Sequence, residues 1–218
     1  MANIEKAIKF PFNDEQWLQK LIVGGVLNLI PIINFLSVGY AYQVFKSTLK
    51  KEDAVMPEWR NWGDLFIKGL VIAVICLCYS FIPGFITVLG VILITKGWLA
   101  SFLGALLLII GFAVGLVITF FLPMSIASYV LGGEQIGDAF KIGFILDKVK
   151  ERLDSYLVSY LVGIGAIILV ALFIFVPIVK YLILPIALFY VYLFLSILFG
   201  DTCASVADVT EETIEDEI

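Results

Sequence analysis

Residues 97–133 have the sequence GWLASFLGALLLIIGFAVGLVITFFLPMSIASYVLGG, which contains no charged side chain in 37 positions. As an α-helix this segment would measure about 55 Å, well beyond the roughly 30 Å hydrocarbon core of a bilayer. We therefore predict a membrane-spanning helix from Gly97 to about Phe121. Pro123 should kink the chain, and residues 124–131 should continue into the membrane interface.

The rest of the chain has the same character. Its 218 residues are 61% hydrophobic and 15% charged, and the mean hydropathy is +1.06. A soluble globular domain is about half apolar and a quarter charged. Further apolar runs cover residues 65–95, 155–179 and 181–200, and residues 21–45 are uncharged. The composition predicts an all-α polytopic membrane protein and excludes a water-soluble domain.

The run 21–45 is interrupted at its centre by Asn28, Pro31 and Asn34. Proline breaks the helical hydrogen-bond ladder, so the segment forms either one kinked span or a hairpin that enters the membrane and returns. Unwound backbone at this polar break could coordinate a substrate, as in transporters with discontinuous helices. Alternatively, the two amides only satisfy the backbone groups that a hairpin turn sets free.

Charge distribution favours the hairpin. With a hairpin, twelve Lys and Arg residues fall on one side and only Lys96 and Lys180 on the other, whereas a single span gives nine against five. Because cytoplasmic loops carry the excess of basic residues, we predict helices over 14–30 and 32–50 and both termini in the cytoplasm. This choice between hairpin and span rests on charge bias alone.

Short segments of mixed polarity precede pairs of apolar segments. They are Ile4–Lys9, Trp62–Ile67 and Ile136–Lys141, and their likeness is either an internal repeat or a coincidence of short matches. The predicted fold is a transmembrane helical bundle of about six membrane segments in three helical hairpins, the first short or re-entrant, with interfacial amphipathic helices. A single integral membrane domain covers residues 1–207.

The acidity of the chain resides in its last eleven residues. Residues 208–218 hold six acidic side chains and no basic one, so that the net charge of −5 would be +1 without them. Such a segment is a solvated, disordered cytoplasmic tail or a docking peptide for a basic partner.

Small residues share one face of the helix predicted after residue 97. The members of this small-residue face are Gly97, Ser101, Gly104, Gly111 and Gly115, with a GxxxG pair at its end. Small residues let two helices approach closely in a membrane. The face therefore packs against another helix of the chain or against a second subunit, as in a homo-oligomer.

The loop before the second apolar run is the most distinctive polar stretch. Its candidate residues are Pro57, Glu58, Trp59, Trp62, Gly63 and Asp64. Tryptophans favour the headgroup region, and proline and glycine favour turns. The interfacial loop is thus an anchored turn or a binding site for a protein partner or a lipid headgroup.

Several positions in the first 66 residues form a recognisable pattern. They are Ala7, Pro11-Phe12, Asp14, Trp17, Gly24-Gly25, Pro31-Ile32, Gly39-Tyr40 and Pro57-Glu58-Trp59-x-x-Trp62-Gly63-Asp64-Leu65-Phe66. On these positions the chain resembles an uncharacterised domain-of-unknown-function family of polytopic membrane proteins, common in archaea and found in some bacteria. The resemblance implies a multi-pass protein of a prokaryotic cell membrane and supplies no activity or cofactor.

Groups able to do chemistry are scarce in the sequence. The chain has no histidine, and Cys76 and Cys78 would point about 200° apart on a helix. No ionisable residue lies deep in an apolar run, where a proton relay or catalytic pair would need one. We predict no catalytic, metal or cofactor site, no enzymatic activity and no nucleic-acid partner.

The functional expectation follows from these features. The sequence favours a non-enzymatic accessory or scaffold component of a membrane assembly, in contact with membrane lipids. A protein partner or second copy would bind through the small-residue face or the acidic tail. The alternative is a transporter, channel or lipid-handling protein for neutral or amphipathic cargo.

Overall fold

A computed structural model describes residues 4–52, 55–175 and 183–215, with side chains up to Ser205. These residues form helices and turns and contain no strand. The helices are α1 (Ile4–Lys9), α2 (Trp17–Asn28), α3 (Asn34–Leu49), α4 (Trp62–Ile94), α5 (Trp98–Leu131), α6 (Ile142–Glu151), α7 (Leu153–Ala171) and α8 (Leu184–Glu215). Short 3-10 helices follow α1, α5 and α7 at Phe10–Asn13, Ile136–Phe140 and Leu172–Phe175.

Four of these segments are long and apolar enough to cross a membrane. They are α4, α5, Leu153–Phe175 and Leu184–Ser205. This finding confirms the prediction of an all-α membrane protein. With 12 and 16 residues, α2 and α3 measure about 18 and 24 Å and are shorter than a bilayer core.

The polar break separates α2 from α3. The hydroxyl of Ser37 donates a hydrogen bond to the carbonyl oxygen of Gly24 at 3.0 Å. In one continuous helix these residues would be about 20 Å apart, so the chain reverses direction between the two helices. Both helices are shorter than predicted. At the start of α2, the Asp14 carboxylate accepts the N–H of Gln16 at 2.7 Å, and this turn delays the helix until Trp17.

Helix α3 lies at the centre of the bundle. It runs antiparallel to α4 with their backbones in contact, since a Cβ atom at Gly39 would overlap the carbonyl oxygen of Leu65. On its other side it runs parallel to α8, where the Ser196 hydroxyl donates to the carbonyl oxygen of Ala41 at 2.8 Å. We call the end that carries Lys46 the charged end and the end with the α4–α5 turn the opposite end.

The prediction that the long helix ends near Phe121 is wrong, because α5 continues through Pro123 to Leu131. A proline removes one N–H and disturbs the ladder around it. The Tyr156 hydroxyl of α7 lies at this point, donating to the carbonyl oxygen of Phe120 at 2.9 Å and accepting the N–H of Met124 at 3.2 Å. A side chain from another helix thus satisfies the disturbed ladder, and α5 does not end there.

The stretch of mixed charge at residues 147–154 is largely helical. Helix α6 extends to Glu151, and α7 begins at Leu153. Ile145 and Val149 are buried against the bundle, and an i,i+3 ion pair joins Lys148 to Glu151 at 3.0 Å. Burial of these apolar side chains and the i,i+3 ion pair beside them both favour helix over turn.

Candidate functional site

A large cavity lies where α3, α4, α5, α7 and α8 meet. Its volume is about 760 Å³, within the range of small-molecule pockets. Aliphatic and aromatic side chains form most of its walls, and none of the described residues that line it is charged. Such an interior suits a hydrocarbon chain, because a charged solute placed there would lose its hydration without gaining a partner.

The cavity exists because α7 stands away from α5. The two helices meet through long tyrosine side chains: the Tyr160 hydroxyl donates to the carbonyl oxygen of Leu116 and hydrogen bonds with Thr119, both at 2.9 Å. The helices that face this gap carry small residues, which leave the space between them open. They include Ala41, Ala73 and Gly163. The cavity therefore arises because long tyrosine side chains hold α5 and α7 apart and the small side chains beside them do not fill the gap.

Tyr42 links the cavity to a group of charged side chains at the charged end. Its hydroxyl donates to Glu134 at 2.7 Å, and the same carboxylate oxygen accepts Lys46 Nζ at 2.7 Å. Lys68 pairs with the other carboxylate oxygen. We call Tyr42, Lys46, Lys68 and Glu134 the Glu134 cluster. It joins α3, α4 and the turn after α5, and its member Tyr42 also lines the cavity.

The pKa of Glu134 reflects this surrounding. Burial by itself would raise it, but the hydrogen bonds from Lys46, Lys68 and Tyr42 outweigh burial and lower the pKa from 4.5 to about 2. Glu134 therefore stays ionised at neutral pH. Sequence reasoning missed this cluster, because Tyr42, Lys46 and Lys68 lie 66 to 92 residues before Glu134 in the chain.

The polar break approaches the cavity at one residue. Tyr192 lines the cavity and interacts with the amide of Asn34. Asn28 lies farther along and donates from Nδ2 to the carbonyl oxygen of Pro185 at 3.3 Å. The Oδ1 atoms of both asparagines are buried and have no hydrogen-bond partner among the described residues, and Pro31 is exposed at the tip of the turn. The break therefore fastens the α2–α3 turn to α8.

The small-residue face of α5 packs against α4 of the same chain. A Cβ atom at Gly104 would lie 2.7 Å from the carbonyl oxygen of Gly90, and one at Gly111 would lie 2.6 Å from the Thr87 hydroxyl. The other members occupy both ends of this face: Ser101 donates to the carbonyl oxygen of Ile94 at 2.7 Å, Gly115 faces Pro83, and Gly97 borders open space.

The interfacial loop is packed on α2 and α3. Trp59 stacks on Tyr40, with ring centres 4.3 Å apart, and the Tyr40 hydroxyl donates to the carbonyl oxygen of Pro57 at 2.6 Å. Trp62 stacks on Trp59 but remains half-exposed. Gly63 borders open space.

A buried lysine fixes the loop electrostatically. The side chain of Lys20 is 5% exposed and pairs with Asp14 and Glu58, each at 2.7 Å. Asp64 lies 3.5 Å from the side-chain amide of Gln43. Sequence reasoning missed Lys20, because a lysine in the first turns of an interfacial helix is expected to face water.

Four long apolar helices, an uncharged cavity between them and ion pairs gathered at one end define an α-helical integral membrane protein. Residues 23–200 match the family described as "Protein of unknown function (DUF4013)", and the chain belongs to that family. This match confirms the prediction that the chain belongs to an uncharacterised domain-of-unknown-function family. Comparison with curated proteins and with solved structures finds no match.

Proposed function

We propose that this protein is a lipid-handling membrane protein that holds a neutral or amphipathic lipid in the cavity between α3, α4, α5, α7 and α8. The observation that carries this proposal is a space of about 760 Å³ between the helices, whose described lining residues are all uncharged. An apolar space of this size gains free energy when a hydrocarbon chain fills it, because cavity walls without partner atoms lose dispersion contacts. We also propose that the protein is not an enzyme, since the described residues of the cavity walls include no carboxylate and no lysine that could act as an acid–base pair.

Filling the cavity with protein should displace the lipid. Ala73 lines the cavity on α4, so Ala73→Phe should reduce the lipid retained by the purified protein at least fivefold. The retained lipid is counted by native mass spectrometry after purification in mild detergent. Ala105→Phe is the matched control, because Ala105 lies on α5 outside the cavity and is exposed. Equal lipid retention in both variants would contradict the proposed function.

An accessory or scaffold role is the second candidate. Supporting it, only 6% of the α5 spanning window is buried, and Trp98, Phe102 and Phe112 are among the most exposed aromatic side chains. Lipid or a partner subunit covers this surface in the membrane. Affinity purification from native membranes followed by mass spectrometry tests this role, and a stoichiometric partner protein would favour it. The acidic tail at residues 208–218, whose side chains lie outside the described residues, is the other proposed contact.

We further propose six membrane segments in three hairpins. Helices α2 and α3 form the first hairpin, and each is too short to cross the bilayer by itself. The charged end then faces the cytoplasm of a prokaryotic, mainly archaeal, cell. The reversal of the chain between α2 and α3 supports this proposal, as does the twelve-to-two division of basic residues.

Thiol labelling in intact cells tests the orientation. In a variant without Cys76, Cys78 and Cys203, a cysteine at Lys50 should be shielded from a membrane-impermeant reagent. A cysteine at Lys96, on the opposite end, should react with it. Both positions are exposed, so burial does not explain a difference. Labelling at position 50 in intact cells would place the charged end outside.

A further inference from the structure

We infer that the cavity opens sideways into the hydrocarbon core of the bilayer, between the α4–α5 hairpin and α7, and that it takes up the end of a lipid chain while the headgroup stays outside the bundle. This inference rests on the proposed function and adds which part of the lipid is bound and by which route it enters. It follows from the packing of the five helices, from the exposure of the lining residues and from their height along the spanning helices.

The helices around the cavity are closely packed on all sides except one. Backbone contacts join α3 to α4 and α4 to α5, and short hydroxyl side chains join α8 to α3 and to α7. The Ser159 hydroxyl of α7, for example, hydrogen bonds with the Thr202 hydroxyl of α8 at 2.7 Å. Helices α5 and α7 are instead joined by long side chains, since the hydroxyls of Tyr156 and Tyr160 donate to carbonyl oxygens of α5 at 2.9 Å each. The side between α5 and α7 is therefore the least closely packed.

The exposure of the lining residues identifies the same side as open. The described lining residues of α3 and α8 are buried or half-buried. Leu77 of α4, Leu116 of α5 and Ile167 of α7 line the same cavity and are 68%, 40% and 51% exposed. We call the gap between these three residues the lateral opening. It lets a molecule beside the bundle reach the cavity without passing the charged end.

The lateral opening lies at the height of the bilayer interior. Leu77 and Leu116 are near the middle of α4 and α5, and both helices continue for about 25 Å beyond them towards the opposite end. Ile167 lies within the spanning segment Leu153–Phe175. The hydrocarbon core is about 30 Å thick, so the middle of such long helices is surrounded by lipid chains rather than by water or headgroups. A lipid therefore meets the opening with the end of its chain.

The headgroup has a physical reason to stay outside. To enter the cavity it would have to leave the membrane interface and pass through the hydrocarbon core, where a polar group without a partner is costly. The described residues at the opening and in the walls are uncharged and would not compensate a phosphate or an ammonium group. The chain end bears no such cost and gains contacts with the cavity walls. Chain length and shape, rather than headgroup chemistry, then determine binding.

Photo-crosslinking with two positional probes tests which part of the lipid enters. The full-length protein is reconstituted in phosphatidylcholine vesicles that contain a phosphatidylcholine with a diazirine either near the end of one acyl chain or next to its carbonyl group. Peptide mass spectrometry counts the label at Ala41 and Ala73 in the cavity walls, relative to the label on the exposed side of α5. We expect at least fivefold more wall label from the chain-end probe. Replacing the choline headgroup by glycerol should change this label less than twofold.

Variants at the lateral opening test the route of entry. Ile167→Trp should narrow the opening and reduce chain-end labelling of the walls at least threefold. Ile168→Trp is the matched control, because Ile168 is the next residue of α7, is exposed and does not line the cavity. Leu116→Trp and its neighbour Val117→Trp form the same kind of pair on α5. All four side chains are exposed, so the substitutions should leave the protein folded.

The outcomes separate the inference from the proposed function. Equal wall labelling by the two probes would show that the whole lipid enters, and equal labelling in the rim variants and their controls would exclude the lateral route. Either result would overturn the inference, whereas a loss of retained lipid in Ala73→Phe would still support the lipid cavity. Walls that neither probe labels, together with unchanged lipid retention in Ala73→Phe, would overturn both.

Discussion

Replacing Gly39 with leucine should leave no folded protein after extraction into mild detergent. A Cβ atom at Gly39 would overlap the carbonyl oxygen of Leu65, and one at Gly69 would overlap that of Phe35. The obstacle in both cases is backbone, which no rotamer change can move aside. Even Gly39→Ala should cost roughly 3 kcal/mol, at the upper end of overpacking penalties, because α3 and α4 must separate.

The measurement is the midpoint of thermal unfolding and the monodisperse fraction on size exclusion. Gly165→Ala is the matched control, since Gly165 lies within α7 and a Cβ atom there would meet nothing within 4 Å. In the control, the better helix propensity of alanine should keep or slightly raise the midpoint. A Gly39→Leu protein as stable as the control would show that the α3–α4 contact does not hold the bundle together.

Elements that depend on local pattern could be predicted from the sequence. The apolar runs marked the spanning helices, and the break at Pro31 marked the turn between α2 and α3. Residue spacing also identified the face with Gly104 and Gly111, because helical periodicity places these glycines together whatever the partner is. The choice of α4 as that partner could not be derived from spacing.

Sequence reasoning missed the features that depend on residues far apart along the chain. The helix after residue 97 does not end near Phe121, because Tyr156 from α7 completes the ladder at Pro123. The sequence indicates a proline kink but not the side chain that compensates it. The cavity has the same origin, since its walls come from five helices and its volume depends on which side chains fail to meet. The residue periodicity of a single segment therefore cannot indicate such a space.

Replacing Glu134 with glutamine should destabilise the charged end of the bundle. Lys46 and Lys68 share this carboxylate, which is 22% exposed, and without its charge two ammonium groups would face each other. Removing one member of a fully buried ion pair costs about 3–5 kcal/mol. Because water reaches this cluster, we expect a smaller loss of roughly 2 kcal/mol in the free energy of unfolding.

The loss should depend on pH with a predictable sign. The folded-state pKa of Glu134, about 2, lies below its ordinary value of 4.5. Its contribution is therefore present above about pH 4.5 and disappears as the pH falls towards 2. Unfolding midpoints of the wild type and Glu134→Gln, measured between pH 7 and 3, should accordingly converge as the pH falls.

A surface ion pair provides the control for Glu134→Gln. Asp147 and Lys150 lie 3.8 Å apart with both side chains more than two-thirds exposed, and such pairs contribute at most about 1 kcal/mol. Asp147→Asn should therefore unfold close to the wild-type midpoint. If Glu134→Gln did the same at pH 7, the cluster would be an accessory surface network. A clear difference would make Glu134 the link that holds α3, α4 and the end of α5 together, and through Tyr42 it would also support one wall of the cavity.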